Sequence, residues 1–113
     1  FYQFFFFDGD SQYLEVEIGT HGHYFVSGFE VGHQPVTNFE NVIFRSETKH
    51  SSDGTIKNIL WIPKSIFPTG LHSLNATMIA GGYFLSYHPL PGENPDFHQP
   101  KVFPLARVEE SLG

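Results

Sequence analysis

"QYLEVEIGTHGHYFV", residues 12–26, alternates apolar and polar side chains, breaks at a turn and then resumes. With a period of two, Leu14, Val16 and Ile18 point one way and Tyr13, Glu15 and Glu17 the other, the mark of a strand with one core face and one polar face. Gly19-Thr20-His21-Gly22 supplies the turn, and His23-Tyr24-Phe25-Val26 opens a further strand that extends toward Phe29 and Val31. A hairpin of this kind predicts an antiparallel sheet.

Working outward, residues 1–7 (FYQFFFF) are apolar on both faces, which suits a central strand covered on two sides. Asp8-Gly9-Asp10-Ser11 joins it to the 13–18 strand as a tight turn. Downstream, residues 32–38 with Pro35 read as a loop, residues 41–46 as a strand, residues 49–54 as a polar hairpin tip and residues 56–62 as the returning strand. Pro63 to Pro68 predicts one helical turn with Pro63 at its first position. Residues 74–80 and 83–87 form two more strands about Gly81-Gly82. From Pro89 the chain is proline-rich and irregular, with Phe97 and Phe103 as expected anchors, and residues 106–112 carry the only helical pattern near the end.

A chain of 113 residues with 40% hydrophobic content has material for a single core, so one domain over 1–113 is expected. Thirteen phenylalanines, together with Tyr, Val and Ile, favour strands over helices. The fold class is all-β: an antiparallel two-sheet β-sandwich followed by a proline-rich irregular segment. A net charge of −6 without any Lys/Arg cluster argues against nucleic acid as a partner. Charged, Pro or Gly residues interrupt every hydrophobic stretch before the roughly 18–20 residues a membrane helix needs, so no membrane partner is expected. With no cysteine, disulfides, thiolate metal sites and a cysteine nucleophile are excluded, while the compartment stays open. Asn75-Ala76-Thr77 is an N-glycosylation acceptor triplet, making Asn75 a glycosylation candidate.

The order of "QYLEVEIGTHG", "LWIPKSIFP", "NATMIAGGYFLSYHPLP" and "NPDFHQPKVF" resembles an uncharacterised animal family of DOMON-like β-sandwich proteins related to family nine carbohydrate-binding modules. The resemblance runs over nearly the whole chain and implies a two-sheet sandwich without a reaction. It departs at Gln3, where the family carries an acidic residue, and at Thr20, where it carries a proline. It also implies several tens of residues ahead of Phe1, so the domain is expected to lack its N-terminal strands. On that basis residues 1–7 need cover from the missing segment or from a second copy, and the chain is not expected to be a self-sufficient monomer.

Four sets of side chains are candidates for function. His21 and His23 have the nitrogen ligands of a zinc, copper or nickel site, but further ligands at a recognisable spacing are missing, so they are read as turn residues with no metal. Glu15 and Glu17 stand on one strand face about 7 Å apart, a spacing open to paired-carboxylate chemistry, with a solvated strand face as the preferred alternative. Trp61, Tyr83, Tyr87 and His88 supply flat rings near strand ends, as sugar-binding sandwiches use; for Trp61, core packing beside Ile59 is preferred. Met78 carries nothing that marks it as a haem ligand, so no cofactor is expected. The sequence reading is a non-enzymatic binding module with Trp61, Tyr83, Tyr87, His88, Glu15 and Glu17 as ligand contacts and carbohydrate as the ligand. A structural or assembly subunit completed by another segment or copy is the alternative.

Overall fold

The computed structural model describes residues 1–32, 35–39, 41–92 and 96–105. Among the described residues eight strands, β1 (Tyr2–Phe7), β2 (Gln12–Ile18), β3 (Tyr24–Glu30), β4 (Pro35–Asn38), β5 (Arg45–His50), β6 (Ile56–Trp61), β7 (Ser73–Ala80) and β8 (Tyr83–Ser86), form two antiparallel sheets. The larger runs β4-β3-β2-β1-β7-β8 and the smaller is the hairpin β5-β6. The architecture is an all-β antiparallel sandwich with layers of unequal width.

The phenylalanine-rich segment is central, as its two apolar faces require. β1 pairs along its whole length with β2 on one side and β7 on the other. Its backbone edges are therefore satisfied within the chain, which corrects the expectation that they need a partner from outside. Alternation then divides the side chains. Phe4, Phe6, Leu14, Val16, Ile18, Tyr24 and Val26 face the small sheet and pack with Phe44, Leu60, Ile62, Ile66 and Phe67. Phe5, Phe7 and Tyr13 face the other way, beneath Leu90, Phe97 and Phe103 of the irregular C-terminal arm. Phe97 and Phe103 thus anchor the arm, which is also tied to β7 by the Leu74 N–H donating to the Pro104 carbonyl at 3.1 Å.

Several element boundaries differ from those read in the sequence. Pro35–Asn38 is an edge strand rather than loop, a position where proline's missing N–H does no harm. The strand expected from residue 41 starts at Arg45, because Phe44 turns into the core and its N–H donates to the Tyr24 hydroxyl at 2.8 Å. The helical turn is a single 3-10 turn, Lys64–Ile66, with Pro63 capping it from outside. The helix expected over 106–112 lies outside the described residues. Gly81 and Gly82 both take positive φ, 55° and 82°, and close the two-residue hairpin between Ala80 and Tyr83, the geometry that favours glycine at both turn positions.

Candidate functional site

The face of the large sheet turned away from the small one carries a cluster of polar side chains. Gln3, Glu15, Ser27, Ser73, Asn75 and Thr77 are all buried there. Their placement follows from register: Gln3 stands opposite Glu17 on β2 and Thr77 on β7, while Phe5 stands opposite Glu15 and Asn75. Cross-strand partners share a face, so four strands deliver their polar residues to one floor.

Gln3 ties the floor together. Its Nε2 donates to Glu15 Oε1 at 2.8 Å and to Glu17 Oε1 at 2.9 Å, and its Oε1 accepts from the Thr77 hydroxyl at 3.2 Å. One amide therefore aligns two carboxyl groups, and its own orientation is fixed by β7. A second knot lies between β7 and β8. Asn75 Nδ2 donates to Ser86 Oγ at 2.8 Å, Ser86 Oγ donates to the His88 carbonyl at 2.6 Å, and the His88 N–H donates to Asn75 Oδ1 at 3.0 Å.

The electrostatics are set by burial. Glu15 is 6% exposed, and desolvation, followed by the charge and hydrogen bond of Glu17, pushes its pKa up to about 7 against the opposing bond from Gln3. Near neutral pH Glu15 is therefore still partly protonated. His98, on the arm, has its pKa lowered by desolvation, against Asp96 and Glu17, which raise it. Tyr13 is pushed up to about 12 by burial and by Glu15 and Asp96. Tyr13 OH lies 2.8 Å from His98 Nδ1. With a neutral ring and a protonated phenol, the hydroxyl donates to Nδ1 and the ring hydrogen sits on Nε2, 3.9 Å from Glu15 Oε1. The His98 ring also rests edge-on against Phe5 and Phe29, at 5.2 and 5.1 Å.

Of the six ligand contacts read from the sequence, the structure brings Glu15 and Glu17 together and joins His88 to the same face through its backbone. Glu15 is no solvated strand residue, because the arm and Gln3 cover it. Tyr83 lines a cavity beside β8, whereas Tyr87 is 80% exposed and does not line it. Trp61 lies on the opposite side of the sheet. The core side of β6 belongs to Leu60, continued by Ile62, so Trp61 is not packed with Ile59 in the core; it is 37% exposed, with the Arg45 guanidinium 4.1 Å from its ring centre.

Asn75 fails as a glycan acceptor in the folded chain: it is 1% exposed and its amide nitrogen is bonded to Ser86. His21 and His23 are exposed and belong to the turn. Gly22 takes a φ of 88° there, and a Cβ at Gly19 would collide with the His23 ring. Among the described residues no three His, Asp or Glu side chains converge to hold a metal ion.

Sequence reading missed Gln3, Thr77, Tyr13 and His98 as members of the cluster. A signal was present in Ser73-x-Asn75-x-Thr77, which carries the same period-two polarity as Glu15-x-Glu17. No known family model matches the chain, and no solved structure matches it. It is similar to the UPF0462 protein C4orf33 homolog of Danio rerio, with 27% identity over 112 residues that cover 90% of this chain and 55% of that protein. The chain thus spans about half the length of this relative.

Proposed function

We propose that the chain is a non-catalytic binding module of the DOMON-like kind, related to family nine carbohydrate-binding modules, and that it takes a carbohydrate on the polar face of its large sheet. The observation that carries this reading is the pair of carboxyl groups held by one amide, Glu15–Gln3–Glu17, with Gln3 fixed in turn by Thr77. Such a floor presents the half-buried Glu17 carboxyl already oriented by the buried Gln3 and Thr77 beneath it, which suits a ligand dense in hydroxyls. Phe25, opposite Glu17 and partly exposed, supplies an apolar surface beside it. The same geometry argues against glycoside hydrolysis, in which two carboxyl groups flank the scissile bond from separate positions; here both converge on one nitrogen.

The test is a glycan array probed with the intact protein, followed by titration of hits against Glu17→Ala and Phe25→Ala. Each variant should weaken binding by about 1–3 kcal/mol, the range of a binding hot spot, with the fold intact by circular dichroism. Absence of binding to every glycan overturns the reading.

A structural or assembly role is a second reading, favoured by one observation. The hairpin β5-β6 covers only part of the large sheet, and Tyr2, Trp61 and Leu85 remain exposed. A cavity of about 420 Å³ opens between the layers, walled by Phe4, Phe6, Ile18, Trp61 and Phe67. Another segment or copy completing this layer would cover them. A sedimenting monomer with cooperative unfolding would count against that role.

A further inference from the structure

At the edge of the large sheet, β8 and the C-terminal arm share a cavity of about 510 Å³, whose walls include Tyr83, Phe84 and Ser86 of β8 and Leu90, Asp96 and Phe97 of the arm. Three of these residues are aromatic. Phe97 and Leu90 are held by packing against the buried cluster of Phe5, Phe7, Tyr13 and Phe103. Phe84, half-exposed, sets its ring 6.1 Å from that of Phe97, and Tyr83 is largely open to water. Adjoining rings that border a cavity make a recognition surface, unlike an apolar side chain exposed singly. Among the described wall residues Asp96 is the one charged side chain. Its Oδ1 accepts the His98 N–H at 3.0 Å, which fixes the carboxylate on the arm. The hydroxyl of Ser86 is already engaged, since it donates to the His88 carbonyl and accepts from Asn75 Nδ2. The Pro91 carbonyl, also in the wall, accepts from Gln99 Nε2.

We propose that this cavity binds a quaternary ammonium group, with the cation against the rings of Tyr83, Phe84 and Phe97 and the Asp96 carboxylate as its counter-charge. The inference is independent of the carbohydrate reading, which uses Glu17 and Phe25. Three features of the walls select this chemistry. An aromatic face carries negative potential and attracts a cation that lies within about 6 Å of the ring centre. A carboxylate without Lys or Arg beside it is compensated by a cationic occupant, whereas an apolar one would strip it of water and return nothing. The overall charge of −6 acts in the same direction at longer range. Finally, the Ser86 hydroxyl and the Pro91 carbonyl are already bonded. A lysine ammonium brings three N–H donors that need acceptors. A quaternary ammonium brings none, and its methyl groups pack against Leu90 and the rings as apolar groups do.

The experiment is an NMR titration of the intact protein with choline and with the neutral analogue in which carbon replaces the nitrogen, so that shape is kept and charge removed. Choline should bind about tenfold more tightly than the analogue and shift the ring signals of Tyr83, Phe84 and Phe97. Phe84→Ala and Asp96→Asn should each weaken choline binding by about fivefold or more. Asn at residue 96 keeps the oxygen that accepts the His98 N–H, and Phe84→Tyr, which keeps a ring, should retain affinity. The ligand's source is decided by a blocked trimethylated lysine: tighter binding than choline assigns the site to a modified protein side chain, and weaker binding assigns it to a small molecule. Equal affinity for choline and its neutral analogue would reduce the site to an apolar cavity and overturn the inference. So would absence of binding by both choline and the trimethylated lysine, or choline affinity that survives both Phe84→Ala and Asp96→Asn.

Discussion

Replacing Glu15 with Gln isolates the energetic consequence of burying a carboxyl group beside Glu17. The native pKa of Glu15 stands at about 7 against an ordinary 4.5, chiefly because of desolvation. The native state therefore holds a proton that the unfolded chain releases. Below about pH 4.5 both states are protonated and stability is full; between 4.5 and 7 the unfolded chain ionises first and stability falls; above 7 the loss levels off. At about 1.4 kcal/mol per pH unit the interval from 4.5 to about 7 sets an upper bound of about 3.5 kcal/mol, of which the part that falls between pH 5 and 8 is about 1–3 kcal/mol. Gln at this position keeps the acceptor for Gln3 Nε2 and can donate to Glu17, reproducing the protonated acid without a titration. Urea unfolding from pH 5 to 8, followed by Trp61 fluorescence, should show Glu15→Gln gaining about 1–3 kcal/mol on the wild type as pH rises. His98 acts in the opposite sense: its pKa is lowered, so its contribution is present above about 6.5 and lost as pH falls. The wild-type curve alone mixes the two, and the difference between wild type and variant is the diagnostic quantity. A difference that stays flat from pH 5 to 8 would refute the reasoning, since it would mean that Glu15 is ionised in the native state throughout.

Two further outcomes follow from burial. Phe5 is fully enclosed among Tyr13, His98 and Phe103; Phe5→Ala should cost about 3–5 kcal/mol in urea unfolding, with Phe5→Leu as the milder folded control, and a loss below about 1 kcal/mol would show that the arm does not seal this face. Asn75 should carry no glycan in folded protein secreted from a glycosylating host, which intact mass decides; a folded, glycosylated species would show that the Asn75–Ser86 bond is dispensable.

Strand periodicity made most of the fold legible. Tyr13 to Ile18 and Phe1 to Phe7 announce a half-buried and a doubly covered strand, and the structure pairs them as neighbours. Edges and breaks were harder to read: Pro35 masked an edge strand, and Phe44 ended what looked like a continuous strand from residue 41. Half of the site was legible as Glu15-x-Glu17, because both carboxylates lie on one strand. Their partners were not, since Thr77 reaches Gln3 across 74 residues and His98 reaches Tyr13 across 85. No local pattern encodes that β1 lies between β2 and β7.

The apolar face explains why the polar face can be so sharply defined. Leu14, Val16 and Ile18 must meet Phe44, Leu60 and Phe67, and a slip of one residue in β2 would replace all three with Tyr13, Glu15 and Glu17. Burying two carboxylates in that core would cost several kcal/mol, so packing on one side fixes register to the residue. The same register places Glu15, Glu17, Gln3 and Thr77 within hydrogen-bonding reach on the other side. Their geometry therefore depends on the full cooperativity of the sandwich, and burial between floor and arm raises the pKa of Glu15 and lowers that of His98. On the binding reading proposed above, a ligand at this face would meet groups already held in place by the core and would have only the arm and the exposed rings to rearrange.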